Sequence, residues 1–119
     1  MTIIKELRKF ERNALEAILK VDAPEYQEHI QYLLVEKREN TGVGLYVDFS
    51  YMDNKLLFSS EKRTLGKTIF AEIEGLEHGA GFMLYIDEGK ITLLEAFCHA
   101  DNTWPDEIEN FAIRNLKKI

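Results

Sequence analysis

The stretch that decides the fold runs from Thr41 to Tyr51 and reads TGVGLYVDFSY. From Val43 onward every second residue is apolar, which is the period of a β-strand with one face in a core. A second signal is Asp87–Lys90, which reads DEGK, because its glycine can take the positive φ that a tight hairpin turn requires. These two patterns predict antiparallel strands.

Further strands are predicted downstream of this stretch. Alternation indicates strands over residues 69–74 and 82–86, and residues 91–100 form the most apolar segment of the chain. The C-terminal segment has two interpretations: residues 105–110 could form one helical turn, or Phe111 and its neighbours could form a short edge strand.

The chain upstream of this sheet has a helical period. Apolar residues recur at three- and four-residue spacing from Ile3 to Lys20, which predicts an amphipathic helix. Asp22 can cap a second helix and Pro24 suits its first turn, so we expect a second helix that ends near Val35.

Helices followed by strands indicate an α+β fold. A chain of 119 residues is the size of one domain. We therefore expect a single domain over residues 1–119. It would consist of an N-terminal helical hairpin in residues 1–35 and an antiparallel β-meander of about four to six strands, with a short C-terminal segment, in residues 36–119.

Composition restricts the class of protein. The N-terminus is charged, and no apolar run has the length of a membrane span, so we expect a cytoplasmic protein with neither a signal peptide nor a membrane segment. The single cysteine, Cys98, excludes an intramolecular disulfide and a zinc site built on cysteines.

The distribution of charge points to a class of partner. The net charge is −6, and residues 71–110 hold ten acidic residues against one basic residue. Nucleic-acid binding requires clustered Lys and Arg, so this balance argues against it. Either the acidic residues only keep the surface solvated, or they form a surface for a basic protein partner.

Glu95 is the one carboxylate within an apolar strand. Strict alternation would place it on the same face as Ile91, Leu93 and Phe97. Burial would raise its pKa and suit it to acid–base chemistry, whereas a sheet edge or backbone hydrogen bonds would make it structural. No second positioned group is evident beside it, so we predict no catalytic residue.

The histidines give no metal-binding pattern. His29 is expected on the polar side of the second helix, His78 in a loop and His99 at a strand end, and their spacing suits no metal site. We predict neither a metal nor a cofactor.

Aromatic and sulfur-containing residues occur on the outer rows of the predicted strands. Tyr46, Phe70, Met83 and Tyr85 alternate with the inner residues, and Trp104 lies beside acidic residues. Either the second helix covers this face, or part of it is an exposed binding patch.

Four motifs within residues 30–116 resemble a widespread family of small bacterial proteins. They are RENTGVGLY at 38–46, GFMLYIDEGK at 81–90, LLE at 93–95 and WP at 104–105. Some members of this family are immunity proteins of contact-dependent or polymorphic toxin systems. This chain departs from the usual pattern at Ala96, where relatives have glycine.

The resemblance implies an α+β fold and a role in binding and neutralising a cognate toxin. Toxic nucleases are often basic, so an acidic inhibitor would be complementary to them. We expect occlusion of such a toxin by a surface made of Glu72, Glu74, Asp87, Glu88, Glu95, Asp101 and Trp104. The chain could act as a monomer or a homodimer.

Two alternatives to the immunity function stay open. The first is a regulatory or housekeeping binding domain that forms a homodimer. The second is a small hydrolase that uses Glu95 with His99 or Asp101, which would require a pocket around Glu95.

Overall fold

The protein has an α+β fold with one antiparallel sheet, as the sequence predicts. The structure, a computed structural model, describes residues 6–52, 56–98 and 102–116. The helical elements are α1 (Lys9–Asp22) and a 3-10 helix (Pro24–Tyr32). The strands are β1 (Leu33–Asn40), β2 (Gly44–Tyr51), β3 (Arg63–Leu65), β4 (Ile69–Ile73), β5 (Ala80–Asp87), β6 (Lys90–Cys98) and β7 (Phe111–Asn115).

The described residues form a seven-stranded sheet, which exceeds the four to six strands expected and is not a simple meander. The strand order is β1-β2-β6-β5-β4-β7, and β3 pairs with the end of β5. The helix α1 packs against the 3-10 helix and against β3, β4 and β7. All the buried strand residues belong to one core with these helices, so one face of the sheet is covered.

The predicted N-terminal helical hairpin is not confirmed. The helix α1 begins at Lys9, since the Glu11 carboxylate accepts a hydrogen bond of 2.8 Å from the backbone N–H of Arg8 and caps the helix there. The predicted start at Ile3 lies outside the described residues. The second segment is a 3-10 helix. It ends at Tyr32 because pairing with β2 lets Leu33 bury its side chain.

Two local predictions are resolved by the strand pairing. Glu88 and Gly89 both have positive φ, 51° and 72°, as a two-residue hairpin turn between β5 and β6 requires. Of the two interpretations of the C-terminal segment, the edge strand is confirmed, because Phe111–Asn115 pairs with β4.

A β-bulge in β6 interrupts the alternation of its side chains. The pairing with β5 passes from Ile91–Ile86 to Leu93–Tyr85, so Thr92 is an extra residue. The hydroxyl of Thr92 donates a hydrogen bond of 3.1 Å to the carbonyl of Tyr85, which satisfies a backbone acceptor at the bulge.

The extra residue reverses the alternation of the side chains in β6. After the bulge, each residue points to the face opposite to the one that simple alternation from Ile91 would give it. Ile91 and Leu94 are both fully buried in the core, whereas Leu93, Glu95 and Phe97 lie on the other side. The prediction that Glu95 shares a face with Ile91 is wrong for this reason.

A second bulge turns an arginine into the core. Glu36 is the extra residue between Val35 and Lys37 of β1, and Arg38 therefore faces α1. Its guanidinium donates hydrogen bonds of 2.5 and 2.7 Å to the Glu11 carboxylate. The two side chains are only 7% and 1% exposed, so this is a buried, two-bonded ion pair that joins the first turn of α1 to β1.

The pair should be strongly coupled to stability. Arg38→Met leaves Glu11 buried without its cation, and we expect it to lower the free energy of unfolding by about 3–5 kcal/mol. Adding Glu11→Gln should recover part of this loss, because a neutral amide replaces the isolated charge. Urea unfolding measures both effects.

A neighbouring residue provides the control for this experiment. Lys37 forms an exposed ion pair with Glu39 at 3.9 Å, so Lys37→Met should change stability by no more than about 0.5 kcal/mol. Equal losses for Arg38→Met and Lys37→Met would contradict the role given to the buried pair.

His29 is buried, which corrects its predicted place on a polar surface. It is 6% exposed, and its Nδ1 lies 2.9 Å from the hydroxyl oxygen of Tyr51. That oxygen accepts a 2.8 Å hydrogen bond from the amide of Ile91, so the Tyr51 hydroxyl is placed to donate to a neutral His29. Burial lowers the pKa of His29 and raises the pKa of Tyr51 to about 12.

Stability should therefore fall at both ends of the pH range. The ordinary pKa of histidine is 6.5, so below that pH the unfolded chain takes up a proton that folded His29 resists, and the free energy of unfolding decreases. As the pH rises from 10 towards 12 the unfolded chain loses the Tyr51 proton first, and the free energy of unfolding decreases again.

Urea unfolding as a function of pH tests both limbs. His29→Gln should flatten the acid limb and Tyr51→Phe the alkaline limb, whereas His78→Gln, in an exposed turn, should retain both. An acid limb that persists unchanged in His29→Gln would show that another group produces it.

Candidate protein-binding face

No helix among the described residues packs on the face of the sheet opposite α1. The outward side chains there are half-buried or exposed, and we call this surface the open face. Its centre consists of Tyr46, Phe70, Met83, Tyr85, Leu93, Glu95 and Phe97. The first alternative for the aromatic residues, cover by the second helix, is therefore wrong, because the 3-10 helix packs with α1.

Glu95 lies at the middle of the open face. It is paired with Tyr46 of β2 on one side and with Met83 of β5 on the other. Leu93 and Phe97 flank it along its own strand and point the same way. One carboxylate is thus surrounded by an aromatic and apolar collar.

The Glu95 carboxylate acts on two tyrosines. The hydroxyl of Tyr85 donates a 3.2 Å hydrogen bond to Oε1 of Glu95. The negative charge of Glu95 is the main cause that raises the pKa of Tyr46. Burial, and then Glu95, raises the pKa of Tyr85. Both phenols therefore stay protonated at neutral pH and can donate hydrogen bonds or accept them, but neither can act as a base.

Phe97 forms an apolar shelf beside this carboxylate. It is paired with Gly44 of β2 on one side and with Gly81 of β5 on the other. Because both partners are glycines, neither neighbouring strand has a side chain directly beside Phe97. A Cβ added to Gly81 would lie 2.8 Å from the Phe97 ring, which shows that the ring lies over that glycine. Phe97 is 43% exposed and Tyr46 is 38% exposed, so the shelf is open to solvent.

The charge around the collar is negative. The Nζ atom of Lys37 lies 3.9 Å from Oε1 of Glu39, and the guanidinium of Arg114 donates a hydrogen bond to the carboxylate of Glu72. The basic residues at these two borders of the open face thus already have carboxylate partners. Asp48 adds a further carboxylate, partly buried beside the collar.

The residues predicted to bind a partner are spread over three places. Glu72 and Glu95 lie on the open face, two strands apart. Asp87 and Glu88 lie at the tip of the β5–β6 hairpin, and Glu74 lies in the turn after β4. The structure does not gather them into one patch.

Trp104 lies in the core and not on the acidic surface. It is 3% exposed, and its ring centroid is 6.2 Å from that of Phe10. Its backbone N–H donates a 2.8 Å hydrogen bond to the carbonyl of Gly42, which draws this segment over the start of β2. Asp101, the other predicted residue of this segment, lies outside the described residues.

Sequence reasoning missed Leu93 and Phe97 as members of the site. Their outward position follows from the bulge at Thr92, and no signal in the alternation pattern reveals it. The nearest hint is that Phe97 and Leu93 flank the single carboxylate of an otherwise apolar strand.

A separate cavity of about 230 Å³ lies beside Trp104. Arg8, Arg38 and Asn40 contribute its polar lining, with Leu45 on the apolar side. The guanidinium of Arg38, whose side chain is buried, already pairs with the Glu11 carboxylate. This positive charge is therefore neutralised within the protein.

Among residues 6–52, 56–98 and 102–116, no group of three or more metal-ligating side chains could hold an ion. In the same residues, no helix is long and apolar enough to cross a membrane. Comparison of the chain with protein family models, with curated proteins and with solved structures finds no match.

The contact between Glu95 and the tyrosines can be tested directly. Glu95→Gln removes the negative charge, so we expect the pKa of Tyr46 to fall towards its ordinary value. An NMR titration of the tyrosine ring signals measures this shift. Glu72→Gln removes an equal charge from the same face and should leave the pKa of Tyr46 unchanged; a similar fall in both variants would contradict the local contact.

Proposed function

We propose that this protein is a non-enzymatic binding protein whose open face binds a basic protein. The observation that carries the proposal is the uncovered row Tyr46–Glu95–Met83 with the exposed ring of Phe97 beside it. Exposed aromatic and methionine side chains on a surface of regular structure are enriched at protein interfaces. They supply contact area at the centre of such an interface.

The charges of the open face support a basic partner. Glu95 lies at its centre with Asp48 beside the collar, and its basic residues at the borders are already paired. The whole chain carries a net charge of −6, which would accelerate encounter with a positively charged protein.

We propose further that the partner is a bacterial toxin and that the protein is its immunity protein. The motifs that carry the family resemblance, at 38–46, 81–90 and 93–95, belong to β1, β2, β5 and β6. These strands supply Tyr46, Met83, Tyr85 and Glu95 to the open face. A basic nuclease would be neutralised by occlusion, because the acidic face would cover the surface that binds phosphates.

The two alternatives receive less support from this geometry. A homodimer formed through the open face would set two faces against each other that each hold Glu95 and Asp48, and like charges repel. The hydrolase alternative assigns His99 or Asp101 to assist Glu95, and both of these residues lie outside the described ones. Among the described residues, the side chains that contact the Glu95 carboxylate are two tyrosines, so no base or nucleophile there favours a hydrolase.

The proposal is tested with the product of the neighbouring gene. Co-expression should protect cells from that protein, and isothermal titration calorimetry of the purified pair should give a tight complex. Tyr46→Ala and Phe97→Ala should each weaken binding by about 30-fold or more, because both remove exposed aromatic area from the interface centre.

Two controls lie away from the open face. Leu57 is 97% exposed and lies beside Tyr26 and His29, so Leu57→Ala removes an apolar side chain that is more exposed than Tyr46 or Phe97. Glu107→Ala removes an exposed charge. Both should leave the affinity within about twofold. A harmless or unbound neighbour would refute the immunity function, and full affinity in Tyr46→Ala and Phe97→Ala would refute the open face.

A further inference from the structure

We infer that Glu95 and its collar form a subsite for an arginine side chain of the partner. This inference rests on the proposed function, because that function assigns the open face to a basic protein. It adds the chemistry of the central contact: a guanidinium that pairs with the carboxylate and lies on the Phe97 shelf.

The acceptor atoms of the subsite are available. A carboxylate offers about four lone-pair positions; Tyr85 uses one of them on Oε1 at 3.2 Å, and the Tyr46 hydroxyl also hydrogen-bonds this carboxylate, which leaves about two. Glu95 is partly exposed, so a donor from solvent or from a partner can reach the remaining positions. The hydroxyl oxygens of Tyr46 and Tyr85 provide further acceptors beside it.

The surroundings of Glu95 favour a cation over a neutral donor. Tyr46, Tyr85 and Phe97 present aromatic rings around the carboxylate, and a cation near such rings gains cation–π attraction. The raised pKa of Tyr46 is a further sign that Glu95 imposes a negative potential on its neighbours.

The shape of the subsite favours arginine over lysine. Gly44 and Gly81 flank Phe97, and the ring lies over Gly81, which leaves a flat surface. A planar guanidinium stacks on an aromatic ring while its N–H groups reach a carboxylate, and it is more weakly hydrated than an ammonium group. A lysine ammonium would pair with the carboxylate but would not stack.

The protein already contains a comparable contact on the same face. The guanidinium of Arg114 donates to the carboxylate of Glu72 from the adjacent strand. Glu95 occupies a similar outward position on β6, but its strand neighbours are Tyr46 and Met83. The inference is that a guanidinium from outside the chain takes the place that Arg114 takes at Glu72.

The probe for this subsite is N-acetyl-arginine amide, titrated into the full chain. NMR should show saturable shifts of the ring signals of Tyr46, Tyr85 and Phe97. The matching citrulline amide has nearly the same shape but no charge, and it should bind about tenfold more weakly because a charge-assisted contact is lost. The lysine amide should also bind more weakly than the arginine amide.

Matched variants locate the binding. Glu95→Gln should weaken binding of the arginine amide by about tenfold, whereas Glu72→Gln should not weaken it. Equal binding of the arginine and citrulline amides, equal or tighter binding of the lysine amide, or unchanged binding in Glu95→Gln would each overturn the arginine subsite.

The complex with the partner separates this inference from the proposed function. If Phe97→Ala weakens the complex but Glu95→Gln does not, the open face is the interface and the arginine subsite is wrong. If both weaken it, both proposals are supported. If neither does, the open face is not the interface, and the arginine inference falls with it.

Discussion

One extra residue in β6, Thr92, determines the character of the open face. Without this bulge, the buried position of Ile91 would place Glu95 in the core by simple alternation. A carboxylate there would require a partner or lose its charge. The bulge instead brings Leu94 into the core and carries Glu95 outward, and the Thr92 hydroxyl satisfies the Tyr85 carbonyl at the irregular position. The same shift exposes Phe97. The outward positions of Glu95 and Phe97 therefore follow from the register shift between β5 and β6.

The bulge at Glu36 has the complementary effect, because it turns a charged residue inward. Arg38 meets Glu11 between β1 and α1, and each side chain satisfies the other where little water reaches. A buried pair of this kind adds little net stability over apolar residues, but it penalises other arrangements, because a displaced partner would leave an isolated charge. Together with the His29–Tyr51 contact, it holds both helical segments on one face of the sheet. No described helix covers the other face.

Local signals in the sequence predicted much of the fold. The alternation over 43–51, the turn at Glu88 and Gly89 and the presence of α1 depend on neighbouring residues, and all three are found. The strand β1 cannot be predicted from local signals, because its apolar residues, Leu33 and Val35, also continue a helical pattern, and only pairing with β2 decides between the two. Strand order depends on distant contacts, so the meander was wrong. Within the site, Tyr46, Met83 and Tyr85 were placed outward correctly, whereas Leu93 and Phe97 depended on the bulge.

We propose that the open face, and not the acidic residues in general, contacts a basic protein partner. Hydroxyl-radical footprinting of the complex with the neighbouring gene product tests it most directly, because aromatic and methionine side chains react readily where they are exposed. We expect the partner to protect Tyr46, Met83 and Phe97 while Leu57, on the helical side, remains reactive. Protection confined to the helical side or to the exposed loop around Glu107, with Tyr46 and Phe97 still reactive, would contradict it.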